Sequence, residues 1–220
     1  MKNLNQLLLG FEYEQNFRDD DFYVGKSNFY PFELINKWPN WQKNFLNISG
    51  EKFSGKTHLT NIFLKKFNGI RIESKLLNNE NLKKIKPYQN IVLENLNLDI
   101  NENLIYTLFN IIDQDNKFLI ITSLEPIAEI DFRLVDLKSR TKNCLLAKIE
   151  NPDDELMFAL ILKNLSDRQI TLDKKLIDFI IKRVERSYGK IFEFIYKIDK
   201  ISLKKKKSID FKIINEALEK

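Results

Sequence analysis

The chain has 220 residues, of which 43% are hydrophobic and 30% are charged, and its formal net charge at pH 7 is +5. This length suffices for one large domain or for a domain with a smaller satellite, and the apolar share excludes a wholly disordered chain. No apolar run approaches the ~20 residues of a membrane-spanning helix, and the N-terminal apolar stretch is too short for a secretory signal. We therefore expect a cytoplasmic protein without a membrane partner.

The chain contains one cysteine and one histidine, which limits the chemistry open to it. Cys144 has no partner for an internal disulfide and cannot build a cysteine-cluster zinc site, as fits a reducing cytoplasm. His58 alone leaves little room for a histidine-rich metal site or a Ser-His-Asp triad. The net charge is also too small to argue by itself for DNA binding.

Short apolar strands alternate with helical segments through the first two thirds of the chain. Residues 1–20 show no clear period, and we interpret them as an extended arm. The alternation predicts an α/β domain over residues 21–150, with a parallel sheet sandwiched by helices. The predicted strands are Phe45–Ile48, Ile70–Ile72, Ile91–Leu93, Phe118–Ile121 and Cys144–Ile149, and the predicted helices are Asn28–Trp38, Thr57–Phe67 and Asn103–Ile112.

From Asn151 onward the strand signals stop, and helical periodicity continues to the end of the chain. We expect the first of these helices to begin with Asn151 as its cap and Pro152 in its first position. Residues 151–220 are therefore predicted to form a small all-helical lid domain. Its predicted helices are Leu156–Leu165, Asp173–Arg186, Ile191–Ile201 and Asp210–Leu218.

The segment GEKFSGKT, residues 50–57, is a full match to the phosphate-loop motif G-x-x-x-x-G-K-[ST]. A predicted strand precedes it and a predicted helix follows, which makes a chance match the weaker interpretation. The glycines allow backbone N–H groups to point at phosphate oxygens beside a helix N-terminus. Lys56 would reach the outer phosphates and the Thr57 hydroxyl would hold Mg²⁺. The predicted nucleotide-binding residues here are Gly50, Ser54, Gly55, Lys56 and Thr57, with His58 as a neighbour of the loop.

Polar residues end the two strands that follow the loop. A phosphate-loop protein needs a strand-end acid to hold the metal, usually through water, and Glu94 is the candidate. The alternative interpretation of Glu94 is a strand-end acid that faces solvent and holds no metal. The next residue, Asn95, can orient water but cannot take a proton at pH 7, so we expect bound ADP or ATP and slow hydrolysis. The hydroxyl of Thr122 is a candidate partner of the γ-phosphate or of the attacking water.

This order of parts resembles the AAA+ family, and more narrowly the DnaA-related proteins of the regulatory inactivator of DnaA (Hda) family. The segment FYVGKSN, residues 22–28, looks like the F-x-V-G-x-x-N stretch that lies by the adenine in DnaA-like proteins. The segment LVDLKSR, residues 134–140, looks like the L-x-D-L-x-S-R box that ends in an arginine finger. The resemblance implies adenine-side roles for Phe22, Val24, Gly25 and Asn28, and a finger acting in trans for Arg140. The alternative for Arg140 is a helix-end arginine that is paired locally.

Two further matches lie in the lid and in the arm. The segment RSYGK, residues 186–190, resembles a sensor segment in which an arginine touches the nucleotide, and Lys190 stands in the place of that arginine. The segment QLLLGF, residues 6–11, looks like the Q-L-x-L-x-F peptide that docks on the DNA polymerase III β sliding clamp. That resemblance implies partner contacts by Gln6, Leu7, Leu9 and Phe11. The alternative is that the leucines pack onto the protein's own core.

The resemblance implies a clamp-associated regulator that promotes ATP hydrolysis by DnaA and thereby represses replication initiation. The acid-amide pair Glu94-Asn95 fits the inactivators better than the two acids of the initiator. One alternative is an autonomous AAA+ ATPase, a helicase-loading or replication accessory factor that forms a homo-oligomer. A third hypothesis is a DNA-binding module built on the run Lys204–Lys207, but such a run is more typical of a solvated turn. We expect no sequence-specific DNA binding.

Overall fold

A single parallel sheet organises the computed structural model, which describes residues 22–97 and 99–219. Its strands are β1 (Phe45–Ser49), β2 (Gly69–Glu73), β3 (Asn90–Leu96), β4 (Phe118–Ser123) and β5 (Leu145–Lys148). Their order across the sheet is β2-β3-β4-β1-β5, and every neighbouring pair is parallel. The predicted α/β class with a parallel sheet is confirmed.

Helices cover both faces of this sheet and form the C-terminal part of the described chain. They are α1 (Phe29–Lys37), α2 (Lys56–Lys66), α3 (Asn79–Lys84), α4 (Glu102–Gln114), α5 (Val135–Thr141), α6 (Asp154–Asp167), α7 (Lys174–Ile181), α8 (Tyr188–Lys205) and α9 (Phe211–Leu218). The sequence did not predict α3 or α5. Each spans fewer than eight residues, so it shows no readable period and depends on packing for its stability. None of the helices described is long and apolar enough to cross a membrane.

Helix boundaries in the lid differ from the predicted ones, and α8 spans Tyr188–Lys205 rather than Ile191–Ile201. Helix α6 is capped by Asp153, whose carboxylate accepts a hydrogen bond from the Leu156 N–H at 2.9 Å, so the expected cap at Asn151 is wrong. Helix α7 ends at Ile181, five residues before the expected end. A non-helical segment follows, and Ser187 caps the next helix, α8.

Three apolar clusters account for the core. One packs α3, α4 and α5 against one face of the sheet, and a second packs α1 and α2 against the other. The third lies among α6, α7, α8 and α9 and forms the core of the lid. Leu156 of α6 and Tyr188 of α8 belong to the second cluster, so the lid is anchored on the face of the sheet that carries α2.

The strand order brings the polar strand ends together. Because β4 lies between β1 and β3, its last residues sit between the end of the phosphate-loop strand and the acid of β3. The buried Asn47 of β1 holds this edge in place. Its amide donates to Ile121 O at 3.1 Å and to Ser123 Oγ at 2.9 Å, and its oxygen accepts from Ile127 N at 2.8 Å.

The burial of Cys144 generates a test of this packing. Burial raises the pKa of the thiol to about 12, so at pH 8 only about one thiol in ten thousand is the reactive thiolate. We expect the folded protein not to react with a disulfide reagent such as DTNB at pH 8, and the protein unfolded in guanidinium to react with one equivalent. Rapid labelling of the folded protein would contradict the packing around β5.

Candidate nucleotide-binding site

The predicted phosphate loop connects β1 to α2 and needs glycine at both of its ends. Gly55 adopts a left-handed conformation with φ of 94° as the N-cap of α2, and a Cβ there would lie 3.1 Å from the Phe22 ring. A Cβ on Gly50 would lie 3.0 Å from Ile149 Cβ and 3.0 Å from Ser54 Oγ. The loop therefore closes tightly over the N-terminus of α2, where unpaired N–H groups favour an anion.

Lys56 folds back onto this loop. Its ammonium group donates to the carbonyl oxygens of Gly50 at 2.7 Å and Glu51 at 2.8 Å, and the side chain is buried. Burial lowers the pKa of Lys56 to about 8, although the negative charges of Glu94 and Glu51 oppose that shift. The lysine is thus a buried cation at the base of the loop.

Glu94 is buried at the centre of a polar network, with only 1% of its surface exposed, which excludes the solvent-facing alternative. One carboxylate oxygen accepts from Thr57 Oγ1 at 3.2 Å and from Thr122 Oγ1 at 2.9 Å. The other accepts from the Thr60 hydroxyl and lies 3.6 Å from Arg71 Nε on β2. Side chains from three elements, α2, β4 and β2, therefore converge on one carboxylate of β3.

Asn95 and Thr122 take different positions around this acid. Asn95 is in a left-handed conformation with φ of 57°, and its backbone N–H donates to Thr122 Oγ1 at 2.8 Å. Its side-chain amide donates to Glu73 Oε2 at 3.1 Å, on the neighbouring strand. Asn95 lines the cavity described below. Thr122 is fully buried and is not among the lining residues; its hydroxyl donates to Glu94 and accepts from Asn95 N.

A cavity of about 360 Å³ lies between the phosphate loop and the lid. The loop residues from Lys52 to Thr57 form one wall, and α6 and α8 form the other. Phe22, Tyr23 and Asn28 close one end. Asn28 shapes that end, because its side chain accepts from Gly25 N at 2.8 Å and donates to Tyr23 O at 2.9 Å.

The loop neighbour His58 and the other residues predicted on the adenine side differ in whether they line the cavity. His58 is buried on α2 with its ring edge-on to Phe22 at 5.2 Å between centroids, and both residues line the cavity. Gly25 and Val24 are not among the lining residues; Gly25 contributes through its backbone N–H, and Val24 is exposed.

Three predicted sites lie away from the cavity or outside the described residues. Lys190 is exposed and its ammonium lies 3.2 Å from Glu193 one turn along α8. Arg140 on α5 donates to Asp113 Oδ2 at 2.7 Å, and its guanidinium lies 5.2 Å from the centre of the Tyr106 ring. This is the local pairing that the sequence left open as an alternative. The proposed clamp-binding residues Gln6, Leu7, Leu9 and Phe11 lie outside the described residues.

Several residues in and around the site were not predicted from the sequence. Arg71 stands on β2 and contacts Glu94, and no motif marks it. Phe53 of the loop stacks on Phe192 of α8, with centroids 4.5 Å apart and planes 13° apart. The signal that could have found Phe53 is a large aromatic at a variable position of the phosphate loop, where small or polar residues would suffice. Phe192 carries no comparable signal.

The residues present fit a nucleotide better than a metal held by protein ligands alone. The Ser54 hydroxyl is buried without a hydrogen-bond partner in the described structure, beside the loop amides and Lys56. Thr57 offers a hydroxyl oxygen and Glu94 a carboxylate, which are ligand types that Mg²⁺ accepts. Because the Glu94 oxygens already accept from three hydroxyls, they suit a metal through water rather than directly. The described residues contain no cluster of three or more metal-binding side chains.

The sequence is similar to bacterial replication initiators. It is 27% identical over 197 residues to the chromosomal replication initiator protein DnaA of Helicobacter hepaticus, a match that covers 78% of this chain and 42% of that protein. It is also 26% identical over 190 residues to an uncharacterized protein of Haemophilus influenzae, covering 79% of this chain and 81% of that protein. The chain thus spans less than half the length of that initiator. No protein-family model matches it.

Solved structures share the fold. Domain III of the Thermotoga maritima replication initiation protein DnaA superposes with a TM-score of 0.74 at 20% identity, covering 92% of this chain and 95% of that one. AMPPCP-bound DnaA from Aquifex aeolicus gives 0.68 at 21% identity, with coverages of 86% and 67%. The Thermotoga maritima RuvB Holliday junction branch migration motor gives 0.71 at 14% identity, with coverages of 93% and 72%. The chain is therefore related in sequence to DnaA, and its described residues have the AAA+ fold.

Proposed function

We propose that this protein binds ADP or ATP with Mg²⁺ in the cavity between the phosphate loop and the lid. The observation that carries the proposal is the buried Lys56 at the base of a complete phosphate loop that opens into the cavity. Lys56 would exchange its two carbonyl partners for phosphate oxygens, and Phe22 would contact the base. The Thr57 hydroxyl would hold the metal, which would neutralise phosphate charge, with Glu94 acting through water.

We propose further that hydrolysis by the isolated chain is slow. Asn95 stands where a second acid would polarise water, and an amide cannot accept the proton. Its side-chain amide already donates to Glu73. Tight binding with slow turnover suits a protein whose nucleotide stabilises the fold. An autonomous ATPase, the alternative function, would instead show steady-state turnover without a partner.

The relationship to DnaA supports a role in replication initiation, for which we propose negative regulation at the sliding clamp. Residues Gln6–Phe11 would dock on the β clamp, and Arg140 would complete the active site of ATP-bound DnaA in trans. In the free chain, the Arg140 guanidinium is held by Asp113 and the face of Tyr106, both on α4. Because its side chain is 34% exposed, a docking partner can reach it. A homo-oligomer built through Arg140 is the competing arrangement.

Replacement of Lys56 tests nucleotide binding directly. We expect Lys56→Ala to lower the affinity for ADP at least 100-fold, because the variant lacks the buried ammonium group at the base of the loop. Titration calorimetry on the intact chain measures this. The exposed Lys75, in the short 3-10 turn after β2, provides a matched control, and Lys75→Ala should bind as the parent does. Equal affinities for Lys56→Ala and the parent would refute the site.

The lowered pKa of Lys56 predicts a pH dependence of the same binding. An anion favours the charged lysine, whereas the free protein loses that proton as pH rises through about 8. We therefore expect the affinity for ADP in EDTA to fall above pH 8, by up to tenfold per pH unit. Lys56→Arg, which does not titrate in this range, should remove the fall. An affinity that stays level in the parent up to pH 9.5 would contradict the buried environment of Lys56.

Replacement of Arg140 tests the regulatory role. We expect the parent protein to have little ATPase activity alone and to accelerate ATP hydrolysis by DnaA when the β clamp is present. Arg140→Ala should lower the acceleration at least 100-fold, because an arginine finger stabilises the charge on the transferring phosphoryl group. The nearby Arg133→Ala is the matched control and should keep the acceleration. If Arg140→Ala accelerates ATP hydrolysis by DnaA as much as Arg133→Ala does, Arg140 is not an arginine finger. Rapid ATP turnover by the parent protein alone would favour the autonomous ATPase.

A further inference from the structure

The second residue of the phosphate loop points away from the loop and contacts the lid. The carboxylate of Glu51 accepts hydrogen bonds from the backbone N–H groups of Tyr188 at 3.0 Å and Gly189 at 3.1 Å, and from the Ser187 hydroxyl. These groups begin the 18-residue helix α8, whose first N–H groups have no partner within the helix. A carboxylate is also favoured there by the helix dipole. Glu51 therefore caps a helix that lies 136 residues further along the chain.

The start of α8 is built to receive this carboxylate. Ser187 is the N-cap, and its hydroxyl accepts from Lys190 N at 3.2 Å while it donates to Glu51. A Cβ on Gly189 would lie 2.9 Å from the nearer carboxylate oxygen of Glu51. Any larger residue at position 189 must therefore push the carboxylate away, and glycine permits the close approach.

A second contact joins the same loop to the same helix. Phe53 adopts a left-handed conformation with φ of 68°, which directs its ring onto Phe192 of α8. The ammonium of Lys52 lies 5.1 Å from the Phe53 centroid, and the Arg168 guanidinium lies 5.6 Å from the Phe192 centroid. The two rings thus form an aromatic pair between two cations, on the wall of the cavity.

Glu51 also contacts the lysine at the base of the loop. Its backbone oxygen accepts from Lys56 Nζ at 2.8 Å, while its carboxylate holds α8. Tyr188, the first residue of that helix, lines the cavity together with Lys56. Movement of α8 away from the cavity must break the contacts of the Glu51 carboxylate, and these contacts are charge-assisted hydrogen bonds.

We propose that Glu51 is a positioning residue that fastens helix α8 over the nucleotide site and so sets how fast a bound nucleotide leaves. This inference rests on the proposed nucleotide binding. Without the carboxylate, the Tyr188 and Gly189 N–H groups lose their acceptor and the lid opens more often. The bound phosphates keep their contacts with Lys56 and the loop amides, so the effect falls on release more than on association.

The experiment compares Glu51→Ala, Glu51→Gln and Gly189→Ala with a matched control, Glu185→Ala. Glu185 is an exposed glutamate two residues before the N-cap, so its replacement removes one negative charge near the same helix end without removing the cap. Two quantities are measured on the intact chain. The first is the dissociation rate of fluorescent ADP in a chase with unlabelled ADP. The second is the hydrogen exchange of the Tyr188 and Gly189 amides in the nucleotide-free protein.

We expect Glu51→Ala to release ADP about tenfold faster than the parent, and Glu51→Gln, which keeps an acceptor oxygen but not the charge, to release it at an intermediate rate. Gly189→Ala should also release ADP faster. Alanine favours a helix over glycine, so an effect that arose only from the stability of α8 would have the opposite sign. Glu185→Ala should match the parent. Release at the parent rate by Glu51→Ala, or slower release by Gly189→Ala, overturns the inference.

Hydrogen exchange separates this inference from the proposed function. If the parent binds no ADP, the proposed function fails. The contact between Glu51 and α8 is then tested by hydrogen exchange in the nucleotide-free protein alone. Faster exchange of the Tyr188 and Gly189 amides in Glu51→Ala, but not in Glu185→Ala, then supports fastening of α8 by Glu51. Equal exchange in both variants overturns it. If ADP binds but the release rates do not change, the site stands and the positioning role does not.

Discussion

The buried carboxylate of Glu94 is the interaction on which the geometry of the nucleotide-binding edge depends. It accepts hydrogen bonds from Thr57 and Thr60 on α2 and from Thr122 on β4, and it pairs with Arg71 on β2. A buried charge is tolerated only when it is paired and hydrogen-bonded, so these elements must keep their relative positions. Removal of one partner from such a group typically costs about 3–5 kcal/mol. The network therefore holds the first turn of α2, and with it the loop, against the sheet.

The phosphate loop faces the proposed phosphate site on one side and the lid on the other. Its backbone and Lys56 face the space that we assign to phosphates, whereas the side chains of Glu51 and Phe53 face the lid. The variable positions of the motif are thus the ones that this chain uses to contact α8. A ligand between the loop and the lid would be enclosed by a loop and a helix, α8, that already contact each other. Because these groups are ordered before binding, binding would cost little conformational entropy.

The sequence predicts those parts of the fold that local sequence patterns determine. The apolar strand Phe118–Ile121 and the loop ending in Lys56 carry their own signals, so the α/β class and the base of the site could be predicted. Strand order could not, because nothing local states that β4 separates β1 from β3. The contact between Glu51 and α8 joins residues far apart in sequence, and no spacing rule reveals it. The cap of α6 was misplaced because Asn151 and Asp153 are equally good caps, and only packing selects Asp153.

The left-handed backbone at Asn95 has a consequence for how this site can change. Asparagine and aspartate adopt positive φ more readily than glutamate, because their short side chains bond to nearby backbone groups. A chain in this conformation can gain a carboxylate at position 95 through aspartate without backbone strain, whereas the longer acid is disfavoured sterically. That aspartate would replace the amide that donates to Glu73 Oε2 at 3.1 Å and would bring two carboxylates together. The route by which such a protein could gain a general base is therefore narrow, because the torsion angle limits the length of the acid and Glu73 opposes its charge.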